Sequence, residues 1–222
     1  MFTGLVERIG AVRRISRGSG LVVEFSFEPW DTPLEKGESV AVNGVCLTVA
    51  DCDRTRFTAD VLAETAEKGG VGGWTPGMKV NMERAMKAGA RFGGHVVQGH
   101  VDGRGMVVRR TPSGRDFTLR IKCPRTIAAA SVVKGSIAID GVSLTVSALG
   151  DDWLEVCIIP TTASCTTLGE RRVGDFVNLE SDVLGRYAIK RGAEERGDGG
   201  QEDQEAPQGG LTMEMLAENG FL

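Results

Sequence analysis

The sequence predicts an all-β protein of two tandem, similar, six-stranded antiparallel Greek-key barrels followed by a C-terminal helix. Three observations predict this fold class: the chain repeats itself, each copy alternates apolar and polar residues as strands do, and 31 of the 222 residues are glycine, against 7 prolines. Two modules of about 100 residues each have the size of small separate domains. Frequent glycines are typical of tight turns between short strands.

The repeat has a constant spacing of 97 residues. The matching blocks are residues 39–49 (SVAVNGVCLTV) with 136–146 (SIAIDGVSLTV), and residues 77–83 (GMKVNME) with 174–180 (GDFVNLE). Two blocks with the same offset indicate that one module is duplicated, and the fold prediction rests on this duplication. We therefore expect the first barrel in residues 1–92, the second in residues 93–182 and a tail in residues 183–222.

Each copy shows the period of two that half-buried antiparallel strands require. Strands are expected at residues 21–27, 57–62 and 79–83 of the first copy, and at residues 117–121, 153–159 and 175–180 of the second. Such short strands lose their exposed edges when the sheet closes, which favours a six-stranded barrel in each copy.

The tail differs in composition from both copies. Asp182 can cap a helix with an apolar stripe formed by Val183, Leu184, Tyr187 and Ala188. Residues 192–210 are mostly Gly, Glu, Asp and Gln, which predicts a flexible linker because little apolar surface can be buried. Thr212 can cap a short terminal helix.

Composition argues against several function classes. The formal net charge is −4 and basic residues form no run, so we expect no nucleic-acid partner. Residues 1–7 lack the basic and apolar stretches of a secretory signal, and no segment has membrane-spanning length; we expect a cytoplasmic protein with no membrane partner. Five cysteines without a C-x-x-C pair, and only two histidines, predict reduced thiols and no metal site.

Small polar side chains recur on the outer face of one strand in both copies. In residues 45–49 the apolar side chains should face the barrel interior, which turns Cys46 and Thr48 outward. Ser143 and Thr145 take the same positions in the second copy. Small polar residues on a solvent-facing strand need no function, but their recurrence in both copies favours a ligand site.

The junction between the copies holds both histidines, in residues 92–103 (FGGHVVQGHVDG). Its glycines allow a backbone to approach a ligand closely. For His95 we favour a hydrogen-bonded structural imidazole, whereas for His100 a structural role and ligand contact are equally open. Asp182 has the plain alternative of a helix cap, and Cys46 that of a small buried apolar residue.

The chain resembles the riboflavin synthase family in four motifs that occur in order. These are residues 1–7 (MFTGLVE), 43–49 (NGVCLTV), 93–103 (GGHVVQGHVDG) and 139–146 (IDGVSLTV). The resemblance implies a transferase that dismutates two molecules of 6,7-dimethyl-8-ribityllumazine to riboflavin and 5-amino-6-(D-ribitylamino)uracil by four-carbon transfer, with no metal or redox cofactor. It also implies a homotrimer in which the N-terminal barrel of one subunit meets the C-terminal barrel of another, and it leaves open an assembly with lumazine synthase.

The resemblance further assigns residues, motif by motif. The catalytic set is Ser39, Cys46, His100, Ser143 and Asp182; the substrate-binding set is Phe2, Gly4, Thr48, Leu62, Thr65, Lys134, Thr145, Ile159 and Thr162. His100 and Ser143 would manage protons or the activating hydroxyl, and Cys46 and Asp182 would orient or activate the reacting carbons. The glycine-rich residues 68–73 depart from the family pattern, which leaves the ligand contacts near Leu62 open.

Two other functions compete with the enzyme: a lumazine-binding fluorescent protein and a flavin-dependent reductase. Lumazine-type fluorescent proteins share the two-barrel fold and bind lumazine or flavin without turnover. Those relatives depart from the Cys-Leu-Thr and Gly-His motifs, whereas this chain keeps Cys46, Thr48, His100, Ser143 and Thr145. A flavin-dependent reductase would need a nucleotide-binding α/β half, and no phosphate-loop motif occurs. The sequence therefore favours the enzyme.

Overall fold

The N-terminal half of the chain forms one curled antiparallel sheet. The computed structural model describes residues 1–18 and 20–195. The strands of this half are β1 (Arg8–Arg17), β2 (Leu21–Ser26), β3 (Ser39–Val42), β4 (Val45–Thr48), β5 (Asp51–Cys52), β6 (Arg56–Val61) and β7 (Lys79–Arg84). They pair in the order β4-β3-β7-β1-β2-β6-β5. A short helix, α1 (Ala63–Lys68), and a 3₁₀ turn (Val71–Gly73) connect β6 to β7.

The C-terminal half is a closed six-stranded barrel. Its strands are β8 (Gly103–Ser113), β9 (Asp116–Lys122), β10 (Ser136–Ile139), β11 (Val142–Leu149), β12 (Trp153–Ile158) and β13 (Phe176–Ser181). The order around the barrel is β10-β11-β12-β9-β8-β13, so consecutive hairpins are joined by long crossings as in a Greek key. Two short helices, α2 (Arg125–Ala129) and α3 (Pro160–Cys165), and a 3₁₀ turn (Thr167–Glu170) lie in the connections.

The two halves differ at one strand. β11 runs through eight residues and bends at a bulge between Val146 and Ala148. In the first half, Val49 and Ala50 divide the equivalent strand into β4 and β5. The Ala50 N–H still donates to the carbonyl of Thr58 in β6, at 2.9 Å. The prediction of an all-β chain of two similar modules is confirmed: the second module is a closed six-stranded barrel, whereas the first is a seven-stranded sheet curled into a half-barrel, because Val49 and Ala50 separate β4 from β5. The two modules are called the first and the second barrel below.

The strand alternation is confirmed by burial. Val45, Leu47 and Val49 are buried, whereas Cys46 is half-buried and Thr48 is exposed. Each barrel has its own apolar core, the first centred on Val23, Phe25, Val40, Phe57 and Met82 and the second on Leu119, Ile121, Ile137, Leu154 and Leu179. A third, smaller cluster joins the barrels and consists of Phe2, Ala41, Val97 and Ala138.

Two equivalent hairpin turns meet between the barrels. Asn43-Gly44 joins β3 to β4 and Asp140-Gly141 joins β10 to β11, and all four residues have positive φ, as two-residue type I′ turns require. A Cβ added at Gly44 would lie 2.9 Å from the backbone nitrogen of Gly141. Glycine at both positions therefore allows the two turns to touch.

Buried amides cross-link these turns in a reciprocal pattern. Nδ2 of Asn81 donates to the Asp140 carbonyl, and Nδ2 of Asn178 donates to the Asn43 carbonyl, each at 2.9 Å. The symmetry is broken at Asp140, because Nε and Nη2 of Arg171 both donate to its Oδ2, at 3.1 and 2.7 Å. The second turn thus holds a buried ion pair where the first has the neutral Asn43.

The tail begins with the expected helix, α4 (Val183–Glu195). The Leu184 N–H donates to Oδ1 of Asp182 at 3.0 Å, so the prediction that Asp182 caps this helix is confirmed. Leu184 and Tyr187 of the apolar stripe are exposed. Residues 1–189 form one compact unit, and the end of α4 belongs to a second. The linker expected at residues 192–210 is wrong for residues 192–195, which continue α4 as helix. The rest of that linker and the helix expected after Thr212 lie outside the described residues.

Among the described residues, no helix combines the length and the apolar character that crossing a membrane requires.

We predict that Asp140→Asn lowers the free energy of unfolding by about 3 kcal/mol, because the Arg171 guanidinium, on a side chain that is only 15% exposed, then faces a neutral amide. The double variant Asp140→Asn with Arg171→Met should recover a large part of this loss, since no unpaired charge remains. Urea unfolding measures both values. A single variant within about 0.5 kcal/mol of the parent protein would show that the ion pair contributes little.

Candidate functional site

The outward-facing residues of the first barrel share one strip of sheet. Ser39 lies opposite Thr48 in the β3–β4 ladder, and Ala41 lies opposite Cys46. Because side chains two residues apart on a strand point to the same face, the Ser39 hydroxyl, the Thr48 hydroxyl and the Cys46 thiol stand in one short row. The structure brings these three predicted residues together.

His100 reaches this row through the segment that precedes β8. The Cys46 N–H donates to the Gly99 carbonyl at 2.8 Å. Gly99 has a φ of +81°, and a Cβ at this position would lie 2.6 Å from the Cβ of Cys46. Only glycine combines this conformation with so close an approach. The next residue, His100, is exposed, and its position in the chain is fixed by the contact between Gly99 and Cys46.

A cavity of about 430 Å³ opens beside Cys46 and His100. Its other lining residues are Val45, Glu64, Thr65, Lys68, Gly69, Gly99, Val101, Asp102 and Arg186. Thr65 comes from α1, and Leu62, which is 77% exposed, lies one turn earlier at the start of that helix. Three predicted residues, Cys46, Thr65 and His100, therefore line a single cavity large enough for a small organic molecule.

The second barrel repeats this construction with the N-terminal segment of the chain. The Ser143 N–H donates to the Gly4 carbonyl at 2.8 Å. Gly4 has a φ of +78°, and a Cβ there would lie 2.6 Å from the Cβ of Ser143. Leu5 follows Gly4 where His100 follows Gly99. The two sites thus have the same backbone plan and different side chains.

Ser143 has a side-chain hydrogen bond, whereas the Cys46 thiol has none to another described residue. Nδ1 of His95 lies 2.7 Å from Oγ of Ser143 in a hydrogen bond whose direction depends on the imidazole tautomer. His95 is buried, and its Nε2 has no hydrogen-bond partner among the described residues. Burial lowers the pKa of His95, and the nearby charge of Asp182 opposes this shift. His95 therefore does form the expected hydrogen bond, and the bond fixes the Ser143 hydroxyl.

The remaining predicted residues of the second barrel occupy positions equivalent to those of the first. Thr145 lies opposite Ser136 in the β10–β11 ladder, and Lys134 precedes β10 with a φ of +71°. Ile159 is 51% exposed at the start of α3, which also carries Thr162. Asp182 directly follows β13 and caps α4. Of these residues, Thr145 shares the outward face of β11 with Ser143.

Phe2 has a different environment from the other predicted residues. Its side chain is completely buried in the cluster between the barrels. Its backbone forms an antiparallel bridge with Val97, through hydrogen bonds of 2.7 and 3.1 Å. Phe2 therefore supports the segments that carry Gly4 and Gly99, and its ring lies beneath the site surface.

Two buried glutamates, which the sequence did not mark as site residues, hold the two leading segments. Glu83 accepts from the N–H groups of Thr3 and Gly4, at 2.7 and 2.9 Å. Glu180 accepts from those of Gln98 and Gly99, at 2.6 and 3.0 Å. Burial raises the pKa of Glu83, and it raises the pKa of Glu180 to about 7 although the two N–H groups oppose the shift. Both glutamates end a repeated GxxVNxE block, and this repetition was the sequence feature that could have marked them as important residues.

In residues 1–18 and 20–195, no group of three or more His, Cys, Asp or Glu side chains is placed to hold a metal ion.

Comparison with known proteins agrees with this architecture. The model of the lumazine binding domain matches residues 3–85 and again residues 98–182. The crystal structure of LumP complexed with 6,7-dimethyl-8-(1'-D-ribityl) lumazine superposes with a TM-score of 0.70 at 24% identity, covering 82% of this chain and 99% of that chain. The LumP complex with riboflavin gives the same TM-score. The protein is therefore a tandem pair of lumazine-binding domains.

Curated relatives define the family more narrowly. Riboflavin synthase of Mycobacterium tuberculosis (strain ATCC 25618 / H37Rv) is 48% identical over 194 residues, which cover 84% of this chain and 96% of the relative. The riboflavin synthases of Actinobacillus pleuropneumoniae and Bacillus subtilis (strain 168) are 38% and 36% identical, each over 100% of both chains. The chain belongs to the riboflavin synthase family.

We predict that Gly99→Ala destabilises the protein more than Gly77→Ala does. Both glycines have positive φ, so both variants carry a backbone strain of about 1–2 kcal/mol. Gly77 faces open space, whereas the new methyl at residue 99 meets Cys46, which adds about 1–3 kcal/mol of overpacking. Urea unfolding separates the two effects. Equal losses would mean that the segment can move away from Cys46 at little cost.

Proposed function

We propose that this protein catalyses the dismutation of two molecules of 6,7-dimethyl-8-ribityllumazine, giving riboflavin and 5-amino-6-(D-ribitylamino)uracil by transfer of a four-carbon unit. One lumazine gives up its four-carbon fragment and the other receives it, so atoms and electrons balance without a metal or redox cofactor. Family membership at 36–48% identity supports this proposal.

The observation that carries the proposal is the pair of sites with one backbone plan and unlike side chains. A reaction between two identical molecules requires two similar binding places, because both partners have the same shape. It also requires different chemistry at the two places, since one molecule is donor and the other acceptor. The two sites meet the requirement for similar shape and the requirement for different chemistry. The first barrel offers Cys46 and His100, whereas the second offers Ser143, Leu5 and His95.

In the first barrel the residues beside the cavity supply proton transfer and orientation. His100 is exposed next to the cavity, where an imidazole can act as a general acid or base. Cys46 is held by its backbone bond to Gly99 and orients the reacting carbon. Thr48, Ser39 and Thr65 present hydroxyls for the polar ring atoms and the ribityl chain.

In the second barrel the Ser143 hydroxyl is the group whose orientation is fixed by a hydrogen bond. The hydrogen bond between His95 and Ser143 sets its rotamer, and burial lowers the pKa of the His95 imidazole, which favours the neutral form. Ser143 activates the bound lumazine, and Asp182 contributes a carboxylate near the same place. Lys134, Thr145, Ile159 and Thr162 bind the rings and the ribityl chain.

Assembly as a homotrimer would place the two kinds of site face to face. The exposed Leu184 and Tyr187 of α4 are 67% and 65% accessible, and apolar side chains in this number on one short helix favour packing between subunits. In such a trimer the first barrel of one chain faces the second barrel of the next. The two lumazines are then held close together, which supplies much of the rate enhancement.

We expect purified protein incubated with 6,7-dimethyl-8-ribityllumazine, without metal or nicotinamide, to form riboflavin, measured by chromatography and fluorescence. Cys46→Ala and Asp182→Ala should each lower kcat by about 100-fold, with melting temperatures that fall only slightly. Cys157→Ala is the matched control, because Cys157 is an exposed thiol on β12 that belongs to neither predicted set. Binding of lumazine without riboflavin formation would establish a non-catalytic binding protein instead.

Complementation tests whether sites form between subunits. A first-barrel variant (Cys46→Ala) and a second-barrel variant (Ser143→Ala) are unfolded, mixed in equal amounts and refolded together. About one quarter of the sites should then combine two intact barrels and regain parental turnover, because barrels from different chains pair independently. Activity in the mixture equal to the mean of the separate variants would place each site within one chain.

A further inference from the structure

Arg186 of α4 lies at the edge of the His100 cavity and reaches across to the segment that carries His100. Its Nη1 donates to Oδ1 of Asp102 at 2.8 Å, and its Nη2 donates to Oε1 of Gln98 at 2.6 Å. These two partners lie two residues before and two residues after His100. One guanidinium therefore spans the residue that the proposed function places in proton transfer.

The backbone of this segment has independent anchors on both sides. Glu180 holds the N–H groups of Gln98 and Gly99, and Oδ2 of Asp102 accepts from the Ser181 N–H at 2.7 Å. His100 itself has no hydrogen bond to another described residue through its side chain in this arrangement. The orientation of His100 therefore depends on how tightly the residues around it are held.

Among the described residues, the first copy has no equivalent of this bridge. Glu7, the counterpart of Asp102, accepts a hydrogen bond from the Trp30 indole of its own barrel, and the repeat offset of 97 residues from Arg186 reaches Gly89, beyond the matched part of the repeat. In the described part of the chain, the bridge thus occurs only in the copy whose leading segment carries a histidine. A bridge needed merely to attach that segment to its barrel would be expected in both copies.

The ion pair between Arg186 and Asp102 lies at the border of the His100 cavity. The side chain of Asp102 is 20% accessible and that of Arg186 is 37% accessible, so the pair is partly shielded from water while it still borders the cavity. A planar guanidinium offers two donors in fixed directions, which a lysine ammonium cannot reproduce. Both Asp102 and Gln98 are then fixed by one side chain.

We propose that Arg186 is a positioning residue that, through Asp102 and Gln98, holds His100 in its working orientation at the first-barrel site. The proposal rests on the function inferred above for its catalytic consequence. The bridge itself acts on the His100 imidazole whether or not turnover occurs. Helix α4 is thereby part of the site as well as part of the tail.

The kinetic test compares Arg186→Met with Arg186→Lys and with Gln98→Ala. Arg186→Met should lower kcat by about 10- to 100-fold, with a KM changed by less than about 3-fold, because the lumazine surface contacts remain. Arg186→Lys keeps the charge near Asp102 but cannot donate to both partners, so it should recover part of kcat. Arg109→Met is the control, because it removes a comparable ion pair, with Glu155, on the outer surface of the second barrel.

The second measurement does not depend on turnover. The protein has only two histidines, so the imidazole signals in a nuclear magnetic resonance spectrum can be assigned with His100→Gln. Arg186→Met should shift and broaden the His100 signals and leave those of His95 in place. Unchanged His100 signals, or a parallel fall of kcat and melting temperature with no rescue by lysine, would overturn the proposal. An inactive parent protein whose Arg186→Met variant still shifts the His100 signals would reject the proposed function alone.

Discussion

The structure depends on the exchange of two leading segments between the barrels. The chain before β1 binds Ser143 of the second barrel, and the chain before β8 binds Cys46 of the first. Each exchanged backbone is held by one buried glutamate, Glu83 or Glu180. A buried carboxylate is stable only when it is hydrogen-bonded. Each glutamate therefore needs the N–H groups of its leading segment, and that segment is held in place by the glutamate. Neither candidate site would be complete in an isolated barrel.

Near-symmetry between the copies explains how two sites can be alike in shape and unlike in chemistry. The hairpin turns, the amide cross-links and the close glycine contacts occur in reciprocal pairs. Side chains on this shared frame have diverged: His100 stands where the other copy has Leu5, and Asp140 pairs with Arg171 where the other copy has Asn43. Because the backbone frame is conserved between the copies, such changes alter charge and proton transfer without moving the binding surfaces.

Much of the fold followed from the sequence because its signals are local. Strand alternation needs only neighbouring residues, and the structure has β12 at Trp153–Ile158 and β13 at Phe176–Ser181, within about one residue of expectation. The break between β4 and β5 was not predicted, since a bend in a strand depends on how the sheet must close. The short helices α1, α2 and α3 were also missed, because six residues or fewer give too weak a periodic signal.

The sequence by itself determined the duplication, the outward direction of Cys46, Thr48, Ser143 and Thr145, and the capping of α4 by Asp182. Only the tertiary structure decided that His95 bonds Ser143, that Gly99 places His100 beside Cys46, and that Arg186 spans Gln98 and Asp102. These contacts join residues about 50 to 90 positions apart in the chain. A repeat or an alternation leaves a regular trace in the sequence, whereas a contact made by chain crossing leaves none, because its distance along the chain is set by the fold.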